Sequence, residues 1–135
     1  MSQENVECVE RLYSDCWAAA NLDVVPEVLH PEIVWTAIES APDAGTRRGH
    51  GGARTYMNDW LQGFDFEGMP IDPVGTTTDG RLVCSLHATG TEKRSGLRTE
   101  IHYAGVFRFA GDGRIIKIHE YATVEEALEA AGLLE

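Results

Sequence analysis

One carboxylate in this chain of 135 residues stands where an acid is out of place. In Ile115-Ile116-Lys117-Ile118-His119-Glu120-Tyr121, strand alternation puts Ile116, Ile118 and Glu120 on one face and Lys117, His119 and Tyr121 on the other. The isoleucine face belongs inside, so Glu120 is expected to project into the interior. Burial disfavours the charged form of a carboxyl group and moves its titration toward neutrality, as suits a group that gives and takes protons. A salt-bridged or rim-exposed glutamate at the strand's end is the ordinary alternative. Tyr13, on an N-terminal segment with helical spacing, reads from its position as a core tyrosine with its hydroxyl tied to a neighbour.

The other reactive residue types exclude more than they suggest. If Cys84, Leu86 and Ala88 turn inward, His87 faces solvent or a partner; the opposite register of strand 81–91, which alternation leaves open, turns His87 in. His102 and His119 share the polar parity of their strands with Glu100 and Lys117 and read as surface or dimer-interface residues. His30 and His50 lie at element ends and read as caps. No histidine pair has the i,i+4 spacing with an acid that a HExxH metal site requires. Gly49-His50-Gly51-Gly52 lacks both the P-loop Lys-Ser/Thr and a dinucleotide fingerprint. Neither a metal nor an organic cofactor is expected. Three cysteines without CxxC spacing support no disulfide framework and no zinc knuckle. Cys8 and Cys16, about 12 Å apart along a helix, cannot bridge. All three, Cys84 included, read as buried small hydrophobes.

The elements that must position these residues follow from periodicity. Val6, Val9, Tyr13, Cys16, Trp17 and Ala20 predict a helix from Ser2 to Ala20, and Asp23 to Leu29 a short second one. His30-Pro31 ends it, and Glu32 to Glu39 reads as the first strand. Ser40 to Gly52 reads as a loop, and Ala53, Tyr56, Met57, Trp60, Leu61 and Phe64 mark a third helix. The period then drops to two, with strands near 70–78, 81–91, 97–109 and 114–122. Thr123-Val124-Glu125-Glu126 is a capping box opening a terminal helix that stops at Gly132. This order predicts one α+β domain over residues 1–135, with an antiparallel sheet and the helices on one of its faces.

Composition sets the outer limits. The chain is 43% apolar and 24% charged, which fits an ordered globular domain. Its net charge of −11 argues against nucleic acid or anionic lipid as the main partner. The excess sits at the two ends: residues 1–35 hold seven acids and one base, and residues 120–135 five acids and no base. That pattern reads as solvated helix faces. No run is apolar enough to span a bilayer, and the N-terminus lacks the order of a signal peptide, so a cytoplasmic location is expected.

Several stretches together resemble the SnoaL-like group of the nuclear transport factor 2-like superfamily. They are Glu4-Asn5-Val6-Glu7 with Tyr13, Asn21-Leu22-Asp23, Leu29-His30-Pro31-Glu32 with Trp35, Arg48-Gly49-His50-Gly51-Gly52, Gly113-Arg114-Ile115-Ile116 and Glu125-Glu126-Ala127-Leu128. The resemblance implies a strongly curved sheet wrapped with the N-terminal helices into a cone around an apolar pocket. It also implies a homodimer formed through the outer sheet face, with Ala104, Val106 and Ile115 on the expected outer parity. Relatives include ketosteroid isomerases, limonene epoxide hydrolases, polyketide cyclases and binding proteins without chemistry. Tyr13 falls where the isomerases place a hydrogen-bonding tyrosine, but their base falls on Ala37 and their second acid on Gly105, so that constellation is incomplete. Glu120 stands where the hydrolases carry an aspartate. Their arginine and second aspartate fall on Leu86 and Ala88, or on Ser85 and His87 after a one-residue slip.

Two functions of different class follow from the resemblance. One is an acid/base isomerase, cyclase, dehydratase or hydrolase acting on a small apolar oxygenated molecule, such as a polyketide, terpenoid or steroid-like compound. Glu120 and Tyr13 would be its catalytic residues, and Trp17, Trp35, Tyr103, Phe107 and Ile118 the pocket wall. The other is a ligand-binding protein without catalysis, which needs only shape and apolar walls.

Overall fold

The computed structural model describes residues 2–133. Helix α1 spans Gln3–Glu10 and is capped by Ser2, whose Oγ accepts from the Asn5 N–H at 3.3 Å. The helix continues over Arg11–Ala18 in π geometry, which alternation of apolar residues does not announce. Bonding i to i+5 adds a residue to each turn and narrows the arc occupied by Leu12, Tyr13, Cys16 and Trp17. All four are buried as a result, and Ala20, expected on the apolar stripe, is exposed. A 3₁₀ turn (Leu22–Val24) and the one-turn α2 (Val25–Val28) follow, with Pro26 in the first turn.

The remaining elements are β1 (Leu29–Thr36), β2 (Thr46–Arg48), α3 (Gly49–Gly63), β3 (Phe64–Gly68), β4 (Ile71–Thr76), β5 (Leu82–Glu92), β6 (Arg98–Phe109), β7 (Ile115–Tyr121) and α4 (Val124–Ala130). Strand β1 starts three residues earlier than the proline at position 31 predicts. The register of β1 on β7 breaks between Leu29 and Val34, so the N–H that Pro31 lacks falls where the ladder is irregular. Two strands lie in segments read otherwise. Strand β2 is a three-residue pairing with Val34, Trp35 and Thr36, and β3 begins at Phe64, directly after Gly63 ends α3.

All seven strands form one curved, unclosed sheet in the order β2-β1-β7-β6-β5-β3, with β4 also pairing β5. It is antiparallel except at β1–β7, where the neighbours run parallel. On its edge away from β6, the long β5 serves two partners: Leu82 to Leu86 pair with β4, and Thr89 to Glu92 with β3.

The helices do not share one face. The π-helical segment and α3 pack with Trp35, Cys84, Leu86, Tyr103, Phe107 and Ile118 on the concave side. Helix α4 covers the opposite side, where Ala127 and Ala131 meet Val83, Ala104 and Val106. Ala104 and Val106 are therefore under a helix of the same chain rather than free for a partner. Ile115 also turns inward, because the β6–β7 register shifts between Arg108/Lys117 and Phe109/Ile115 and leaves Ile116 as the extra residue. Thr123 caps α4 as the capping box predicts, accepting from the Glu126 N–H at 3.1 Å. All three cysteines are free thiols; Cys16 and Cys84 are buried and Cys8 is half-buried.

The β3–β5 crossing is tight enough to test. A Cβ at Gly90 would lie 2.6 Å from the Asp65 carbonyl oxygen and 3.1 Å from Phe66 Cα. Gly90→Ala should lower unfolding stability by about 1–3 kcal/mol, read from the urea midpoint. Gly51→Ala, with nothing within 4 Å of its Cβ in α3, should be neutral or stabilising by up to about 1 kcal/mol.

Candidate functional site

Strand β7 delivers Glu120 to the concave face, where only 2% of its surface stays exposed. A buried carboxyl group needs donors, and two helices supply them. Tyr56 on α3 donates its hydroxyl to Oε1 at 2.7 Å, and Tyr13 on the π-helical segment donates to Oε2 at 3.2 Å. The Trp35 indole N–H, which completes no hydrogen bond, is a weaker third influence that favours the charged form. Among the described residues no cation offsets the burial, so desolvation dominates and pushes the Glu120 carboxyl up to about 7, with the two tyrosine donors pulling against it. Burial and the neighbouring carboxylate hold the Tyr13, Tyr56 and Tyr103 hydroxyls above the ordinary phenol range, so they remain donors. An aromatic shell fixes these groups: Trp35 lies 5.2 Å and Trp17 5.5 Å from Tyr56 between ring centroids, and Tyr13 packs edge-on to Phe107 at 6.0 Å.

Glu120 forms part of the wall of a cavity of about 170 Å³. Trp17, Phe66, Met69, Ala88 and Ile101 are among its apolar lining, and Tyr56, Tyr103 and Asp43 add polar groups. Ala41, Pro42 and Asp43 close one side from the loop between β1 and β2. That loop is pinned twice: Trp60 Nε1 donates to Asp43 Oδ2 at 2.8 Å, and Arg47 Nη1 donates to the Asp43 carbonyl at 2.6 Å. The Arg47 guanidinium also sits over the Tyr56 ring, 4.8 Å from its centroid. Outside this closure, an outer groove of about 270 Å³ shares Pro42, Asp43, Tyr56 and Trp60 with the cavity.

Of the residues singled out in the sequence, Glu120, Trp17 and Tyr103 line the cavity. Tyr13, Trp35, Phe107 and Ile118 do not; each is fully buried behind the wall. The Tyr13 hydroxyl is engaged with Glu120, so it orients the carboxyl group instead of facing a ligand. Gly105 lies directly opposite Glu120 on β6, and a Cβ there would come within 2.7 Å of Phe107 Cζ. The Phe107 ring therefore occupies the space that an acid at position 105 would need. Leu86 and Ala88 are buried and His87 turns outward, so β5 offers the cavity no charged group. Ala37, beyond the end of β1, is buried with its N–H bonded to the Gly45 carbonyl. His50 bonds the Leu29 carbonyl at 2.7 Å, tying α3 to β1.

Sequence reading missed Tyr56, Trp60 and Asp43. Tyr56 and Trp60 stand i,i+4 on α3, a spacing that core aromatics share with pocket residues. Asp43 sits in an irregular loop and carries no periodic signal.

The shifted carboxyl group has measurable consequences. Carbon-13 NMR of the Glu120 carboxyl should give a midpoint near 7, and Tyr56→Phe, which removes a donor to the charged form, should move it upward by about 1–2 pH units. The sign for stability follows. The folded state holds this proton above the unfolded midpoint of 4.5, so its contribution is full below that pH and is lost as pH rises through about 7. The difference in unfolding free energy between wild type and Glu120→Gln should therefore shift by up to about 3 kcal/mol across that window, against wild type at the alkaline end.

The SnoaL-like domain model matches residues 9–118, most of the chain. A candidate isomerase from Bacillus subtilis superposes over 100% of both chains with a TM-score of 0.76 at 15% identity. A candidate SnoaL-like polyketide cyclase from Mesorhizobium loti covers 90% of this chain and 99% of its own, with a TM-score of 0.67 at 16% identity. A protein of ketosteroid isomerase-like fold from Catenulispora acidiphila, solved with trimethylamine, covers 98% and 95%, with a TM-score of 0.71 at 13% identity. At such identities these structures share the fold alone. No match is found among curated proteins. The family match over residues 9–118, on a sheet that curves around a carboxylate-bearing cavity, establishes that the chain belongs to the SnoaL-like family.

Proposed function

We propose that this protein is an acid/base enzyme that moves a proton on a small apolar molecule bearing a carbonyl or similar oxygen. The observation that carries the reading is Glu120: a carboxyl group on an apolar cavity wall, fixed by two tyrosine hydroxyls and poised near neutrality. Such a group takes a proton from carbon as the carboxylate and returns one as the acid. Tyr13 and Tyr56 are positioning residues. Tyr103 also lines the cavity, and among the described residues no hydrogen bond engages its hydroxyl, so it is the donor for a developing oxyanion.

The cavity sets the substrate size. At about 170 Å³ it is close to a cavity of about 150 Å³ that admits benzene, so it holds one ring. A longer polyketide or terpenoid would extend past Asp43 into the outer groove. One observation favours the non-catalytic reading: both hydroxyls that reach Glu120 point at it, which leaves Tyr103 as the one tyrosine hydroxyl of the cavity free to meet a ligand oxygen.

Cyclohex-2-enone in D₂O separates the readings. Proton NMR should show the wild type accelerating exchange at the acidic C–H positions, with Glu120→Gln slower by about 10²–10⁴-fold and Tyr103→Phe by about 10²–10³-fold. Exchange by Glu120→Gln at the wild-type rate refutes the assigned role. Binding of the enone by the wild type without accelerated exchange makes the protein a carrier.

A further inference from the structure

The convex face of the sheet carries a second cluster that the cavity chemistry leaves unused. His87 on β5 and His102 on β6 are paired directly across the antiparallel ladder. Their rings stack with centroids 4.1 Å apart and planes 19° from parallel. Glu100 lies two residues before His102, hence on the same face, and its Oε1 is 3.8 Å from His87 Nε2, too long for a hydrogen bond. One ligand atom from each of the three lies within 4.8 Å of the other two, the only such grouping among the described residues. An independent observation points the same way: His87 Nε2 is buried and has no hydrogen-bond partner among the described residues. A buried polar nitrogen left unpaired is unfavourable and rare in folded proteins.

We propose that His87, His102 and Glu100 form a site for a divalent transition ion such as Zn²⁺. Two imidazoles and a carboxylate are the donor set of an open zinc site, with a fourth position left for water or an outside ligand. The imidazoles favour Zn²⁺ and its neighbours over Mg²⁺ and Ca²⁺, which prefer oxygen. Tetrahedral bonds of about 2.0–2.1 Å place ligand atoms about 3.4 Å apart, so the donors must close by up to about 1.4 Å. Side-chain rotation suffices, because the β5–β6 ladder runs unbroken from Leu82 to Thr91 and already holds the two backbones in register. Arg98 competes weakly for Glu100. Its Nη1 is 3.9 Å away, and the guanidinium already forks onto Glu67 at 3.1 and 3.0 Å. A hollow of about 340 Å³ bordered by Ser85, Thr123 and Val124 adjoins the histidines and leaves the fourth position accessible. No metal signature is legible in the sequence, because the histidines are 15 residues apart and only the strand pairing brings them together.

The test is calorimetric titration of the full chain, freed of metal by a chelator, with ZnCl₂ alone and with MgCl₂ alone. One Zn²⁺ should bind per chain in the micromolar range or tighter, with no response to Mg²⁺. His87→Ala, His102→Ala and Glu100→Gln should each weaken Zn²⁺ binding by roughly tenfold or more, and His119→Ala, whose ring stacks on Tyr121 on β7, should titrate as wild type. Imidazole NMR signals of His87 and His102 in the wild type should move on Zn²⁺ addition, a readout independent of any variant's folding. Absence of Zn²⁺ uptake, wild-type affinity in both histidine variants, unmoved His87 and His102 signals, or one ion per two chains would overturn the site.

Discussion

A carboxyl group held in an apolar interior by two tyrosine hydroxyls is the constraint on which the concave side of this protein depends. Glu120 pays no part of its desolvation by pairing with a cation, so its donors must be placed well. Tyr56 comes from α3 and Tyr13 from the π-helical segment, and both must reach the same strand. The carboxylate therefore ties two helices to β7 more specifically than apolar packing would. Removing either hydroxyl would leave a desolvated oxygen short of a partner, which is worse than having no polar group there at all.

The local irregularities make sense around that requirement. The π turn gathers Leu12, Tyr13, Cys16 and Trp17 on one side, so the hydroxyl that serves Glu120 and the indole that lines the cavity arrive together. The missing side chain at Gly105 lets the Phe107 ring lie where a second acid would otherwise sit, and that ring packs edge-on to Tyr13. The extra residue at Ile116 returns Ile115 to the core without disturbing the inward parity of Ile118 and Glu120. Each irregularity keeps one carboxyl group in one polar niche.

What was legible in the sequence follows from how far each signal travels along the chain. The inward parity of Glu120 comes from alternation within a single strand, and such a local pattern survives folding, whereas alternation leaves open which side of β5 His87 faces. Family resemblance reached the curved α+β architecture, which alternation alone does not specify. Features set by contact between distant segments were not legible. The partners of Glu120 lie 64 and 107 residues away in sequence, at Tyr56 and Tyr13, and nothing in their own spacing distinguishes a donor from a packing tyrosine. Helix α4 reads as an amphipathic terminal segment whichever face it covers, so its position over Ala104 and Val106 emerges only from the packing. The π geometry and the bulge at Ile116 each displace side chains by one residue, the error to which parity arguments are most exposed.

The charge of the cavity region bears on what can enter it. Asp43 stands at the closure and raises the proton affinity of Glu120, and Asp59 lines the outer groove. Arg47 is turned toward the Asp43 and Gly45 carbonyls and the Tyr56 face, so its positive charge is engaged at the rim. An anionic ligand would have to pass two carboxylates and then meet a third group that charges as pH rises through neutrality. A neutral ligand with an acceptor oxygen meets the opposite situation. Protonated Glu120 and the Tyr103 hydroxyl can both donate to it, and apolar walls cover the rest of its surface. Under the proposed function, binding such a ligand would exclude water from the carboxyl group and favour its protonated form further. On the proposed function, the same burial that makes Glu120 costly to fold would favour neutral, oxygen-bearing molecules and place a transferable proton beside them.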